Sequence, residues 1–115
     1  MQYLLMIYAN EATENAIPPA EMGTIMQAYG AYSEALVKAG VMRGGERLRP
    51  TTDATSVRVR NGKSEVLNGP YAETREQLGG YYVIDVPDLD AALQWAARCP
   101  SSAYGTIEVR PIWTM

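Results

Sequence analysis

The sequence predicts an α+β domain built from two β-α-β halves with a β-hairpin between them. Three observations carry this. Short runs of β-compatible apolar residues open the chain at residues 2–8, recur at 80–86 and close it at 106–110. Two stretches with helical spacing separate these runs, one after Pro18-Pro19 and one after Pro87-Asp88. Midway, Asn61-Gly62 sits between two short alternating segments, the strongest hairpin signal in the chain. Together they make a split β-α-β pattern with an inserted hairpin.

Taken in order, residues 2–8 read as a buried strand, and the polar residues 10–16 as a loop. Pro18-Pro19-Ala20-Glu21 starts the first long helix, because proline is tolerated in the first turn and a carboxylate favours the positive end of the helix dipole. Met22, Ile25, Met26, Tyr29, Leu36 and Val37 recur along it at helical spacing and are expected to face the core. Gly23 and Gly30, seven apart on that face, either allow close approach to a sheet or are tolerated at a cost. Gly40 is the left-handed cap. Residues 41–46 read as a second strand, and residues 47–54 as a connection broken by Pro50.

A two-residue turn at Asn61-Gly62 sets Arg60 opposite Lys63, Val59 opposite Ser64, Arg58 opposite Glu65 and Val57 opposite Val66. Arg58 and Glu65 then form a cross-strand ion pair, and Asn68 stands at the end of a valine row. In residues 80–86, alternation puts Tyr82, Ile84 and Val86 on one face and Tyr81, Val83 and Asp85 on the other. Asp88 caps the second long helix, whose stripe is Leu89, Ala92, Leu93 and Ala96, with Trp95 off the stripe. Cys99-Pro100 ends it. The strands from Tyr3 and from Gly80 are expected to be parallel central neighbours, with the last strand beside the first.

At 115 residues the chain is read as one domain, residues 1–115, with a single core. A net charge of −3 gives no electrostatic case for nucleic acid or an anionic membrane. No apolar run approaches the roughly 20 residues needed to span a bilayer, and the first residues read as a strand rather than a signal peptide. One cysteine excludes an internal disulfide and fits a reducing cytoplasm. Histidine is absent, so the usual general base and metal ligand near neutral pH are missing. Cys99, at a helix C-terminus, is expected to be structural. No metal-ligand spacing, phosphate loop or dinucleotide fingerprint occurs, so neither a metal nor a cofactor is expected.

Polar and special-geometry residues concentrate in one stretch, Asn68-Gly69-Pro70-Tyr71-Ala72-Glu73-Thr74-Arg75-Glu76, followed by Gly79-Gly80-Tyr81-Tyr82. It resembles the signature of the DGPF family, a branch of the YCII-related proteins, whose motif reads Asp-Gly-Pro-Phe-Ala-Glu-Thr-Lys-Glu. The resemblance extends to the opening Tyr3-Leu4-Leu5-Met6-Ile7-Tyr8, to Gly44-Gly45-Glu46 and to the closing Tyr104-Gly105-Thr106-Ile107-Glu108-Val109-Arg110-Pro111. It implies a ferredoxin-like α+β domain that pairs into a dimeric α/β barrel. Some relatives resemble partners encoded beside alternative sigma factors, and YCII-type relatives are suspected enzymes with an Asp-His pair. This chain has Asn68 at the motif's Asp and no histidine.

Two readings of function stand. One is a dimeric small-molecule-binding domain or a weakened enzyme, with Tyr8, Glu46, Glu73, Tyr81 and Arg110 as the polar lining of its pocket. The other is a regulatory module that acts with a transcription factor of the sigma type. Tyrosine hydroxyls and an unpaired carboxylate in a pocket favour the first; a shallow apolar patch around Trp95 or Tyr71 favours the second. A homodimer is expected in both, because one helix layer covers one sheet face while residues 3–7 and 81–86 are apolar on both. Asn68 is expected to bond the main chain of the following turn.

Overall fold

Alternate residues of β1 (Gln2–Ala9) are buried, namely Tyr3, Leu5, Ile7 and Ala9, while Leu4, Met6 and Tyr8 between them are half-buried. That period of two makes β1 a central strand with one face on the core. In the computed structural model, which describes residues 1–114, the other strands of the main sheet and the two long helices are placed around it. The segment expected to be a loop contains a short helix, α1 (Glu11–Asn15). The Asn10 side chain accepts from the Thr13 amide at 2.8 Å, and this cap allows polar residues to make a helical turn.

The helix α2 (Pro19–Lys38) ends at Gly40, whose φ of +74° is the left-handed conformation that a glycine adopts without a Cβ clash. It buries only Tyr32 and Leu36. After β2 (Met42–Arg47) and a 3-10 turn (Thr51–Asp53), β3 (Thr55–Arg60) and β4 (Lys63–Asn68) form a separate two-stranded arm. Its register is the one expected, with Asn61 and Gly62 at φ +53° and +74° and Arg58 bonded to Glu65 at 2.7 Å. Both side chains of that pair are about half exposed, so it contributes no more than about 1 kcal/mol.

The chain returns through β5 (Gln77–Asp85), α3 (Leu89–Arg98), a second 3-10 turn (Pro100–Ala103) and β6 (Thr106–Pro111). Asp88 caps α3 by accepting from the Ala91 amide at 2.9 Å. The main sheet has the order β2-β5-β1-β6, and every neighbouring pair is antiparallel. This is the ferredoxin-like arrangement. It corrects one expectation: β1 and β5 are central neighbours but antiparallel. The helical crossover α2 makes β2 parallel to β1, whereas the arm reverses the chain, so β5 runs against both and slots between them. The last strand does lie beside the first.

Both long helices cover one face of this sheet. Leu5, Leu36, Ile84 and Cys99 are fully buried there, joined by Tyr3, Tyr32, Tyr82, Val86, Ala92 and Ala96. Trp95, off the α3 stripe, packs edge-on to Tyr32 at 6.2 Å between ring centroids, with the Arg98 guanidinium over its ring at 4.3 Å. Leu89 and Leu93 of the expected stripe stay largely exposed, because the two alanines sit closest to the sheet.

Leu36 and Val37 are adjacent apolar residues of α2, one with no exposure and the other 63% exposed. Leu36→Ala is expected to lower stability in urea titration by about 3 kcal/mol, as cavity-forming substitutions do. Val37→Ala is expected to change it by less than about 0.5 kcal/mol.

Candidate functional site

The helix α2 is seated on the sheet at one end only. Near its C-terminus the Tyr32 hydroxyl donates to the Trp95 carbonyl at 2.7 Å, and Ser33 shares a hydrogen bond with the Tyr82 hydroxyl at 2.7 Å. Earlier turns stand off: Met22 and Ile25 are half-buried and Met26 is 41% exposed. A cleft of about 730 Å³ lies under this half of the helix. Ile7, Gly80 and Tyr82 form its floor, and Met22, Ile25, Met26 and Tyr29 its helical wall. Residues 46–50, Glu11 and Glu14 border it, as do Ser101 and Tyr104. Gly30 also faces it, and a Cβ built there would meet nothing within 4 Å. Close approach of helix to sheet is therefore not what Gly30 serves; its missing side chain leaves the cleft open.

The cleft has an apolar floor and helical wall, a set of placed hydroxyls, and a charged rim of Glu11, Glu14, Glu46, Arg47 and Arg49. Tyr29 hydrogen-bonds Ser101 and lies 3.5 Å from the Cys99 sulfur, and Ser101 reaches the Tyr104 hydroxyl at 3.1 Å. Burial pushes the Tyr29 phenol far up, against a smaller opposing effect of the Ser101 bond. Burial likewise raises Tyr82, opposed by its bond to Ser33, and raises the Cys99 thiol. These groups are neutral donors and acceptors, and Cys99 is a core residue rather than a nucleophile. Glu14 differs. Burial raises its carboxyl, the Arg47 guanidinium pulls it back, and the neighbouring Glu11 charge raises it further. Glu11 itself is engaged, accepting from the Thr51 amide and hydroxyl at 2.9 and 2.7 Å. Glu14 is thus a cleft carboxyl that holds its proton more readily than an exposed glutamate.

The YCII-related domain family matches the chain over residues 1–115. The chain belongs to the YCII-related family. It is also similar to an uncharacterised protein of Rhizobium meliloti (strain 1021), with 37% identity over 114 residues covering 97% of this chain and 92% of that protein.

The residues singled out from the sequence of this YCII-related domain lie elsewhere. Cross-strand partners place Glu46 beside Tyr81, Tyr81 beside Met6 and Met6 beside Glu108 on the sheet face that the helices leave open. Tyr8 and Arg110 belong to the same face, Arg110 pairing with Glu108 at 3.5 Å. Of the five, Glu46 alone also borders the helix-side cleft, from the edge strand. Glu73 lies in the exposed loop after the arm, together with Tyr71, Ala72 and Thr74. The structure thus gathers Tyr8, Glu46, Tyr81 and Arg110 on one face and leaves Glu73 apart.

The expected Asn68 turn does not form. Its side chain is exposed and makes no hydrogen bond among the described residues. The turn is held instead by the Gly69 amide donating to the Ala54 carbonyl at 2.6 Å and by Ser56 Oγ donating to the Gly69 carbonyl at 2.9 Å. Glu14 was hidden in a stretch read as loop. Tyr29 and Ser33 carried a faint signal, two hydroxyls four residues apart on the apolar side of a helix. Ser101 and Tyr104 carried none.

The raised Glu14 carboxyl fixes the sign of a pH effect. The folded chain holds this proton more tightly than the unfolded one, so its contribution to stability falls as pH rises from the ordinary glutamate value of about 4.3 through the raised one. Glu14→Gln is expected to flatten that part of the stability–pH curve, read by urea titration at a series of pH values.

Proposed function

We propose that this YCII-related domain binds a small molecule in the helix-side cleft. The observation that carries the reading is a cleft of about 730 Å³ with more apolar than polar lining and a few converging hydroxyls, the usual make-up of a ligand site. The fitting ligand class is a largely apolar or planar molecule with a carbonyl or hydroxyl group. Its apolar part would lie against Met22, Ile25, Met26 and Ile7. Methionines suit this, because they adapt their shape to what they cover. The polar end would meet hydroxyls of Tyr29, Ser101 and Tyr104, which at neutral pH offer hydrogen bonds and no charge.

The domain acts as a homodimer on this reading. One helix layer covers one sheet face, and Leu4, Met6, Tyr8, Tyr81 and Val83 remain half-buried on the other, where a second copy would cover them. Paired sheets would also enclose Tyr8, Glu46, Tyr81 and Arg110 as a polar fringe. Among the described residues no helix is long and apolar enough to cross a membrane. A single buried cysteine suits a reducing cytoplasm, the compartment we assign.

Gly30 supplies the direct test. Gly30→Leu places a side chain in open space and removes a poor helix former, so stability is expected to hold or rise by about 0.5–1 kcal/mol. Native mass spectrometry of the wild type is expected to retain a small molecule that Gly30→Leu loses. A variant that keeps the same ligand with undiminished occupancy would place binding elsewhere.

The dimer is checked separately by light scattering of the wild type at micromolar concentration, where twice the chain mass is expected. A monomer would refute it.

A further inference from the structure

The arm formed by β3 and β4 stands away from the body. Neither strand pairs with the four-stranded sheet, and the arm's only partners of any extent are its own two strands. The radius of gyration is 16.1 Å, against about 13 Å for a compact chain of this length, and the principal extents are 48 × 44 × 19 Å. An isolated two-stranded hairpin is marginally stable in water. This one nonetheless presents an apolar face, with Val57 67%, Val59 59% and Val66 63% exposed on one side by register. The opposite side carries Arg58, Arg60, Lys63 and Glu65.

We infer that the arm is an exchange element: it reaches to a second copy of this chain and lays its valine face on that copy. The inference rests on the homodimer reading and adds to it. Two observations select a second copy as the occupant. The first is charge. Residues 55–68 hold three cations and one carboxylate, a net +2, in a chain of net charge −3, so the remainder carries −5. The cations lie on the side opposite the valines, so they steer the arm toward an acidic body at longer range while the valines make the contact. The second is area. A four-strand face about 20 Å long is about 19 Å wide, or roughly 400 Å² in projection. An arm face of roughly 200 Å² in projection, given once and received once, doubles the face that each copy brings to the contact, toward the size class of stable interfaces.

The test compares the wild type with Val57→Thr/Val66→Thr by sedimentation equilibrium. Threonine is β-branched and keeps the strand preference of the hairpin, and both valines are exposed in the single chain, so the fold is unaffected. Placing two hydroxyls in a dry contact is expected to weaken the dimer on the order of 10- to 100-fold. Hydrogen exchange is expected to slow at β3 and β4 amides as concentration rises through the dimerisation range. If the variant dimerises as tightly as wild type and the arm amides exchange at one rate throughout, the arm inference is overturned while the sheet-face dimer stands. If the wild type is monomeric at micromolar concentration, the dimer reading and the arm inference fall together.

Discussion

Where α2 sits is decided by hydroxyls as much as by hydrocarbon. Tyr32 bonds the Trp95 carbonyl, Ser33 bonds Tyr82, and Tyr29 bonds Ser101, so three residues within two turns tie the helix to α3, to the sheet and to the segment after α3. Each bond is directional and sheltered, which makes it a positional constraint as well as a contribution of about 1 kcal/mol. Beyond these ties the helix has no comparable anchor. Toward its N-terminus Met22, Ile25 and Met26 are its apolar reach toward the sheet, and the floor of the cleft there includes Gly80. The packed half of the fold and the open half are therefore set by one group of bonds.

The sheet's two faces follow from the same economy of layers. A shortest extent of 19 Å is the thickness of one helix layer on one sheet. With no second layer in the described residues, β1 and β5 keep buried side chains toward the helices and half-buried ones away from them. Asp85 marks the edge of that outer face. The hydrogen bond from the chain's terminal ammonium, 2.9 Å away, holds its carboxyl below the usual range, with the Arg43 charge assisting.

Most of the architecture was legible because period-two and helical patterns are local. The hairpin register could be written down from Asn61-Gly62 alone, since a two-residue turn leaves no freedom. The buried face of β5 followed from alternation, and Asp88 and Gly40 announced their caps. Strand direction was less accessible: the relation of β1 to β5 depends on which connection crosses over and which reverses. The cleft was not legible at all. Met22, Ile25 and Met26 have the spacing of a core stripe, and nothing in their sequence separates a methionine that fills space from one that overhangs it. Tyr8, Glu46, Tyr81 and Arg110 lie near strand ends and do share a face, but it is the face opposite the cleft, which Glu46 alone also borders. Asn68 looked like a turn former because its type usually is one, while Ser56 across the arm holds that turn instead.

Residues 47–50 border the cleft, and with residues 51–53 they form the shoulder from which the arm departs. Glu11 grips Thr51 there, and the Leu48 amide is fixed to the Gly79 carbonyl at 2.9 Å. A single short segment thus borders the cleft and roots the arm. A substitution in it acts on both features at once: one that reshapes the mouth of the cleft also re-aims the arm, and one that re-aims the arm also reshapes the mouth. The two features are mechanically bound to drift together.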